Sequence, residues 1–385
     1  MSKGSKQVFQ TSNPTRWQRF KWTFRLLLFL LFITVIAIII AIKTAYEPTV
    51  PILQSSVFKR ILVSEENQDS LAKKYQGFRK FIDDKWSTGN GSGQNESAIR
   101  LSHSKLFSDS LGIRSAFYVD WDPQAFFSLR RNINKLNLIL PEWMFFDPTG
   151  DSLIIRKDKR GYDLIKKTKG LRVMPMLTNN INGKWDGVVV SRILNDAKKS
   201  EKLINDLYKW IKAEGFAGIN IDFEELVEND NRLLTQFLKK LSDRFHAGGL
   251  LTSIDVMPFN EDYDYEALAA HTDYIFLMAY DQYTSSTKPG PISGQKWIEA
   301  AVDQIVQKVP ISKLVLCIAG FGYDWPKGGE GSDVTYQQAL SIAKENNSKI
   351  TYDNDSYNLY FTYKDKLGHE REVHFTDAAT NFNAI

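Results

Sequence analysis

From residue 113 onward, short apolar runs alternate with amphipathic stretches, and this alternation constrains the fold more than any other feature of the chain. The runs are Ile113–Asp120, Leu136–Leu140, Leu171–Leu177, Phe216–Phe223, Leu250–Val256, Tyr274–Ala279 and Leu314–Ala319. Helical stretches lie between them, among them Asp196–Glu214, Asn231–His246 and Gln295–Val309. Leu203, Leu207, Trp210 and Ile211 recur at helical spacing, as in a stripe that packs on a sheet. Strand and helix in strict succession build parallel βα units. Seven of them predict an α/β fold of the (β/α)8 TIM-barrel kind, one strand short. A doubly wound sheet is the alternative, but no G-x-G-x-x-G or Walker motif follows any run.

The alternation breaks at residues 327–375. Tyr336–Asn346 is patterned as a helix, and Tyr357–Tyr363 and Glu372–Phe375 as strands around the turn Lys366-Leu367-Gly368. This is the expectation for an α+β insertion after strand 7 that walls a groove at the barrel mouth. Residues 376–385 then read as the start of a helix with no strand after it. A barrel with seven strands leaves two edges unpaired, so the eighth strand is expected to be missing through truncation.

Ahead of the barrel, Leu26–Ile42 is a run of seventeen uncharged residues between Arg25 and Lys43. About 17–25 apolar residues span a bilayer as a helix. Lys3, Lys6, Arg16, Arg19, Lys21 and Arg25 precede the run without an acidic residue. That asymmetry predicts a single-pass anchor with a cytoplasmic N-terminus. The core is longer than a signal peptide's, and no A-x-A cleavage site follows it. The expected organisation is a basic arm over 1–25, an anchor over 26–42, a stem over 43–110 and the barrel over 111–385. In the stem, Pro48 and Pro51 precede a charged helical stretch from Glu65 to Asp84, then a Gly/Ser/Asn-rich loop. The barrel would lie outside the cytoplasm, on the cytoplasmic membrane.

The formal charge of +4 comes from 49 basic and 45 acidic residues, and the six in the arm account for all of the excess. A near-neutral body lacks the basic face that nucleic-acid binding needs. One cysteine, Cys317, excludes an internal disulfide, and the histidines at 103, 246, 271, 369 and 374 have no metal-ligand spacing. No metal and no cofactor is called for. Cys317 is expected to be a core thiol, and His246 and His271 to end helices.

In barrels of this type, reactive groups sit at the C-terminal ends of the strands. Those ends are Asp120-Trp121-Asp122, Glu142-Trp143, Thr178-Asn179, Asp222-Phe223-Glu224, Met257, Tyr280-Asp281 and Tyr323-Asp324-Trp325. The fourth is the most informative. In Gly218-Ile219-Asn220-Ile221-Asp222-Phe223-Glu224, residues two apart share a strand face. Asn220, Asp222 and Glu224 therefore project into the barrel and rise toward its mouth. Neighbouring carboxylates raise each other's pKa, so one can stay protonated as a general acid while the other is an anion. Two carboxylates at i and i+2 of one strand cannot flank a sugar from opposite sides. A single acid helped by a neighbour suits a substrate-assisted route, with the sugar's own acetamido oxygen as nucleophile. A strand that merely ends in solvated acids would show the same spacing.

These residues resemble glycoside hydrolase family 18, the chitinase-like (β/α)8 barrels. Ala217-Gly218-Ile219-Asn220-Ile221-Asp222-Phe223-Glu224 stands in the frame of the signature D-G-x-D-x-D-x-E, and Met278-Ala279-Tyr280-Asp281 matches M-x-Y-D. The resemblance implies Glu224 as general acid, Asp222 as the residue orienting the acetamido group and Tyr280 as its hydrogen-bond partner. It places Asn220, Met278, Asp281, Tyr323, Asp324 and Trp325 among the substrate-binding residues, with Trp325 as a sugar-stacking ring. Phe276–Gln282 and Gly320–Trp325 resemble the spore-germination branch, whose substrates are peptidoglycan-type glycans, and that branch tolerates Asn at the position of Asn220. Ala217 departs from the signature, and the eighth strand with its subsite Trp is absent. The N-terminal arm and the anchor-then-barrel order resemble large bacterial membrane proteins that join such a barrel to a polysaccharide deacetylase and a family 2 glycosyltransferase. The resemblance thus implies a membrane-anchored hydrolase of N-acetylglucosamine-containing polysaccharide. The alternative is a glycan-binding barrel of low turnover that serves a larger synthase or deacetylase.

Overall fold

The computed structural model describes residues 21–34 and 112–381, apart from 148, 151, 182, 228, 229 and 379. The chain divides into two compact units, Met1–Gly89 and Asn90–Ile385. In the first, residues 21–34 are helical, with Leu26 to Ile33 exposed along it. The rest of the expected anchor, most of the basic arm and the whole stem lie outside the described residues. Among the described residues no helix is long and apolar enough to cross a membrane.

In the second unit, seven parallel strands follow one another in chain order: β1 (Ser115–Tyr118), β2 (Leu138–Phe146), β3 (Met176–Thr178), β4 (Gly218–Asp222), β5 (Leu251–Val256), β6 (Tyr274–Met278) and β7 (Leu314–Cys317). Each pairs in parallel with the next. All seven expected runs are strands, and the sheet is a curled half-barrel. Among the described residues, β1 and β7 are the ends of the path.

Helices cover the outer face: α1 (Pro123–Asn132), α2 (Lys159–Lys167), α3 (Gly187–Leu194), α4 (Ala197–Glu214), α5 (Asn231–His246), α6 (Tyr265–His271) and α7 (Gln295–Ile305). Their limits follow from local chemistry. Asp196 caps α4 by accepting hydrogen bonds from the amides of Lys198 and Lys199, and Gly215 ends the helix in a left-handed turn at φ 68°. Leu203, Leu207 and Ile211 of α4 are buried, as the stripe predicts. Outward-facing Phe223 packs its ring 5.7 Å from Phe146 and 6.3 Å from Phe237 of α5.

The strand alternation sorts the interior into layers. Leu138, Leu140, Met174, Leu251, Phe276 and Cys317 form an apolar floor, with Ala217 packed against it. Two residues further along the strands, the inward positions turn polar: Glu142, Asn220 and Ser253, then Asp222 and Asp255, all buried. At Gly218 the strands come so close that an added Cβ would lie 2.1 Å from the Leu251 carbonyl oxygen.

The expected insertion exists, and it begins earlier than residue 327. It is an antiparallel five-stranded sheet of β8 (Phe321–Pro326), β9 (Ser332–Thr335), β10 (Thr351–Tyr352), β11 (Leu359–Lys364) and β12 (Glu370–Phe375), in the order β9-β8-β12-β11-β10. Helix α8 (Tyr336–Glu345) starts from a capping box formed by Thr335 and Gln338. Tyr323, Asp324 and Trp325 therefore sit within β8 of this second sheet and are not the end of a barrel strand. Gly320 breaks the run after β7, and a new alternation begins at Phe321 with a different partner, His374 opposite Tyr323.

Candidate active site

The carboxylates gather where the inward faces of β2, β4 and β5 and the chain after β6 converge. Asp222 and Asn220 are buried on the inner face of β4, and Glu224 follows just past the strand end, half-buried. The backbone there is fixed from several sides. Asn179, at the end of β3, accepts from the Glu224 amide at 2.9 Å and donates from Nδ2 to the Glu224 carbonyl at 2.8 Å. The Tyr263 hydroxyl donates to the Phe223 carbonyl at 2.8 Å. Asp262 accepts from the Leu226 amide at 3.2 Å. Glu225 turns the chain sharply with φ 49°, and Asp281 does the same after β6 with φ 62°. Residues other than glycine pay about 1–3 kcal/mol for such a conformation, and they cluster at sites that need an exact aim.

The electrostatics follow from burial of like charges. Burial above all, then Asp222, Asp281 and Glu225, pushes Glu224 up to about 9. Burial and Glu142 raise Asp222 against the opposing hydrogen bond of Thr178. Asp255 is driven well above the carboxylate range by burial and by Asp222. Burial lifts Glu142 to about 7 and Asp281 to about 6, each restrained by a donor: the Trp121 indole and the Tyr323 hydroxyl. Glu224 is raised further than Asp222, so the site can hold a neutral acid beside an anion at one pH.

The expected residues divide into those in this cluster and those outside it. Asp222, Glu224, Tyr280 and Asp281 converge. Tyr280 is half-buried against the floor and stacks edge-on with Phe321 at 5.7 Å. Tyr323 reaches the site from the insertion, donating to Asp281 Oδ1 at 2.8 Å. Met278 is buried in β6 two positions before Tyr280, on the same strand face. Asn220 is fully buried and bonded to neighbours, donating to Asp255 and accepting from Ser253 Oγ at 2.6 Å. It is a scaffold for the acids and has no edge open to a sugar.

Like Asn220, Trp325 and Asp324 depart from the expectation. Trp325 is fully buried, with its indole donating to the Thr284 carbonyl at 3.1 Å, so it cements the insertion to the loop after β6 and cannot stack on a sugar. Asp324 is no groove acid: Arg371 Nε holds its Oδ1 at 2.9 Å and the Tyr363 hydroxyl its Oδ2 at 2.7 Å. Trp121, after β1, is an exposed ring, 67% accessible and anchored through Nε1 to Glu142 Oε2 at 3.0 Å. Trp143 is buried in the core. His246 and His271 end α5 and α6 as expected, with His246 Nε2 2.9 Å from Asp273.

Ser253, Asp255 and Tyr263 of the cluster escaped the sequence reading, and Glu142 and Asn179 stood in it only as strand-end residues without a role. Asp255 had the clearest signal, a carboxylate two positions from Ser253 inside the apolar run Leu250–Val256. Among the described residues no cluster of His, Cys, Asp and Glu could hold a metal ion.

Asp222 at the end of β4, Glu224 just past it and Tyr280-Asp281 just past β6 meet in one barrel mouth, and the model of Glycosyl hydrolases family 18 matches residues 144–381. The chain belongs to that family. It is similar to YdhD of Bacillus subtilis, named as a sporulation-specific glycosylase, at 31% identity over 226 residues, 55% of this chain and 54% of that protein. It is 29% identical to the cortical fragment-lytic enzyme of Bacillus subtilis over 238 residues, 57% of this chain and 55% of that enzyme. The chain thus spans about half the length of these curated relatives. The crystal structure of a chitinase from Chromobacterium violaceum shares the fold with a TM-score of 0.64 at 24% identity, covering 69% of this chain and 86% of that one. The missing acid of the family 18 signature, Ala217, lies at the apolar floor below the carboxylate row.

Proposed function

We propose that the chain is a glycosidase that cleaves N-acetylglucosamine-containing polysaccharide, of peptidoglycan or chitin type, by a retaining, substrate-assisted route. One observation carries this reading: Glu224 is a half-buried carboxyl just past the end of β4, raised by burial and by like charges, with Asp222 two residues before it and Tyr280 and Asp281 just past the end of β6. A protonated carboxyl beside a carboxylate is the arrangement that proton transfer to a leaving group needs.

The chemistry assigns each group a step. The Glu224 carboxylic acid gives its proton to the glycosidic oxygen as the bond to the anomeric carbon breaks. The acetamido carbonyl oxygen of the same sugar attacks that carbon and closes an oxazolinium ring. Asp222, as carboxylate, accepts from the acetamido N–H and sharpens the attack, and the Tyr280 hydroxyl donates to the acetamido oxygen. Glu224, now anionic, takes a proton from water as the water oxygen opens the ring from the opposite face. Two inversions leave the anomeric configuration retained. Trp121 offers a face for an adjacent sugar.

Residues 26–42 are part of the proposal as an anchor that leaves the barrel outside the cytoplasm, supported by the uncharged run and the basic arm before it. Protease added outside intact cells should then remove the barrel and leave the arm.

The test of the chemistry uses chitotetraose and its fully N-deacetylated counterpart. Fresh product from the acetylated substrate should carry the β-anomer, and the deacetylated substrate should remain intact. An α-anomer, or equal cleavage of both, would refute the substrate-assisted route.

A further inference from the structure

Asn220 stands where the family 18 signature has an acid, and an amide cannot hold a titratable proton. An acid is nonetheless present at this height of the barrel, on the next strand. Asp255 is fully buried on the inner face of β5, and its Oδ2 accepts from Asn220 Nδ2. Ser253 Oγ donates to Asn220 Oδ1 at 2.6 Å, which fixes the amide with its NH2 group toward Asp255. The register pairs Asn220 with Ser253 and Ile221 with Ile254, so the next step sets Asp222 beside Asp255 on the same inward face. Asp222 Oδ1 and Asp255 Oδ1 are both buried and neither has a hydrogen-bond partner. Two adjacent buried carboxylates with an unsatisfied oxygen each are untenable as two anions. A single proton between them satisfies both.

We infer that Asp255 is a permanently protonated acid whose hydroxyl donates to Asp222, making it the positioning residue that keeps Asp222 ionised and aimed, in place of the acid absent from β4. The inference rests on the glycosidase reading for its catalytic consequence, but the proton itself does not depend on it. The titratable groups around the pair are Glu142 from β2, Glu224 after β4, Tyr263 after β5, Tyr280 and Asp281 after β6, and Cys317 from β7. Each is an acid, so each favours keeping the proton in place. A donor to the charged form lowers a carboxyl's pKa, so removing the Asp255 hydroxyl should raise that of Asp222.

The test compares Asp255→Asn and Asp255→Leu with the full wild-type chain. Asparagine reproduces the protonated acid: its carbonyl accepts from Asn220 and its NH2 donates to Asp222. Leucine fills the space and donates nothing. The infrared difference spectrum between wild type and Asp255→Asn should show loss of one carboxylic-acid carbonyl band. With an N-acetylated chitooligosaccharide, Asp255→Asn should retain the wild-type acid limb of kcat/KM. Asp255→Leu should move that limb to higher pH by about one unit, about tenfold in the ionised fraction of Asp222 at a fixed acidic pH. No loss of the acid band overturns the inference, as does the same limb in both variants. A wild-type chain that cleaves nothing would defeat the glycosidase reading alone, and the infrared result would still decide whether Asp255 carries the proton. If Asp255→Leu does not fold, Asp255→Asn decides both arms, since a shifted limb in that variant contradicts a neutral donor.

Discussion

Asn179→Ala should loosen the site at its most constrained point. The side chain is fully buried and makes two hydrogen bonds to one residue, accepting from the Glu224 amide and donating to its carbonyl. Alanine removes both partners and leaves the two backbone groups in place. The applicable cost is therefore the desolvation of an unpaired donor and acceptor, about 1–3 kcal/mol each when water cannot reach them. Glu224 is half-buried, which admits some solvent and favours the lower end, about 2–4 kcal/mol in total. For a domain of this size, about 2–4 °C is lost per kcal/mol, so the melting temperature should fall by roughly 4–16 °C. The Glu224 carboxyl would lose its aim as well. Misplacement of a catalytic group by about 1 Å costs on the order of 10²-fold, so kcat should drop at least about tenfold. Urea unfolding and initial rates on an N-acetylated chitooligosaccharide measure the two effects. An Asn179→Ala protein within about 0.5 kcal/mol of wild type and with unchanged kcat would refute the claim that this clamp positions the acid.

Further outcomes follow from the same contacts. Burial raises Glu142 from 4.5 to about 7, so its contribution to folding is complete below its unfolded pKa and lost as pH rises through 7; urea midpoints at pH 5 and pH 8 should differ less in Glu142→Gln than in wild type. With Glu224 at about 9, the alkaline limb of kcat/KM in the free enzyme should lie far above the ordinary glutamate range, and a limb near 4 or 5 would contradict the assigned acid. Trp325→Ala should cost about 3–5 kcal/mol of stability as a core truncation. Trp121→Ala should leave the unfolding midpoint unchanged and raise KM on longer oligosaccharides.

The alternation of apolar runs located all seven barrel strands: β2 to β6 are buried almost throughout and leave near-continuous apolar runs, and the half-buried end strands β1 and β7 keep apolar runs as well. It also located the helices α4, α5 and α8 to within a residue or two, since Asp196 and Thr335 cap and Gly215 terminates where such residues do. The catalytic row Asn220-Asp222-Glu224 was legible for a related reason: period-two alternation puts all three on one face. Partners from other strands were not legible. Asp255 meets Asn220 only because β4 and β5 are in one register, and Asn179 meets Glu224 across the β3–β4 pairing, contacts with no local sequence signal. Trp325 was misplaced because only Ile318, Ala319 and Gly320 separate the end of β7 from the start of β8. The run through Trp325 belongs to the insertion sheet, where an inward Trp seals a core. Trp121 looked no more exposed than Trp143 in sequence, yet one follows a strand end and the other lies within β2.

Glu224 as the acid of a glycosidase is tested by product release from chitooligosaccharides and from peptidoglycan by the full chain and by Glu224→Gln. The wild-type chain should release oligosaccharides, and the variant, with the carboxyl replaced by an amide of the same shape, should be slower by on the order of 10²-fold or more while unfolding at the same temperature. Equal product from both proteins, or none from either, would contradict it.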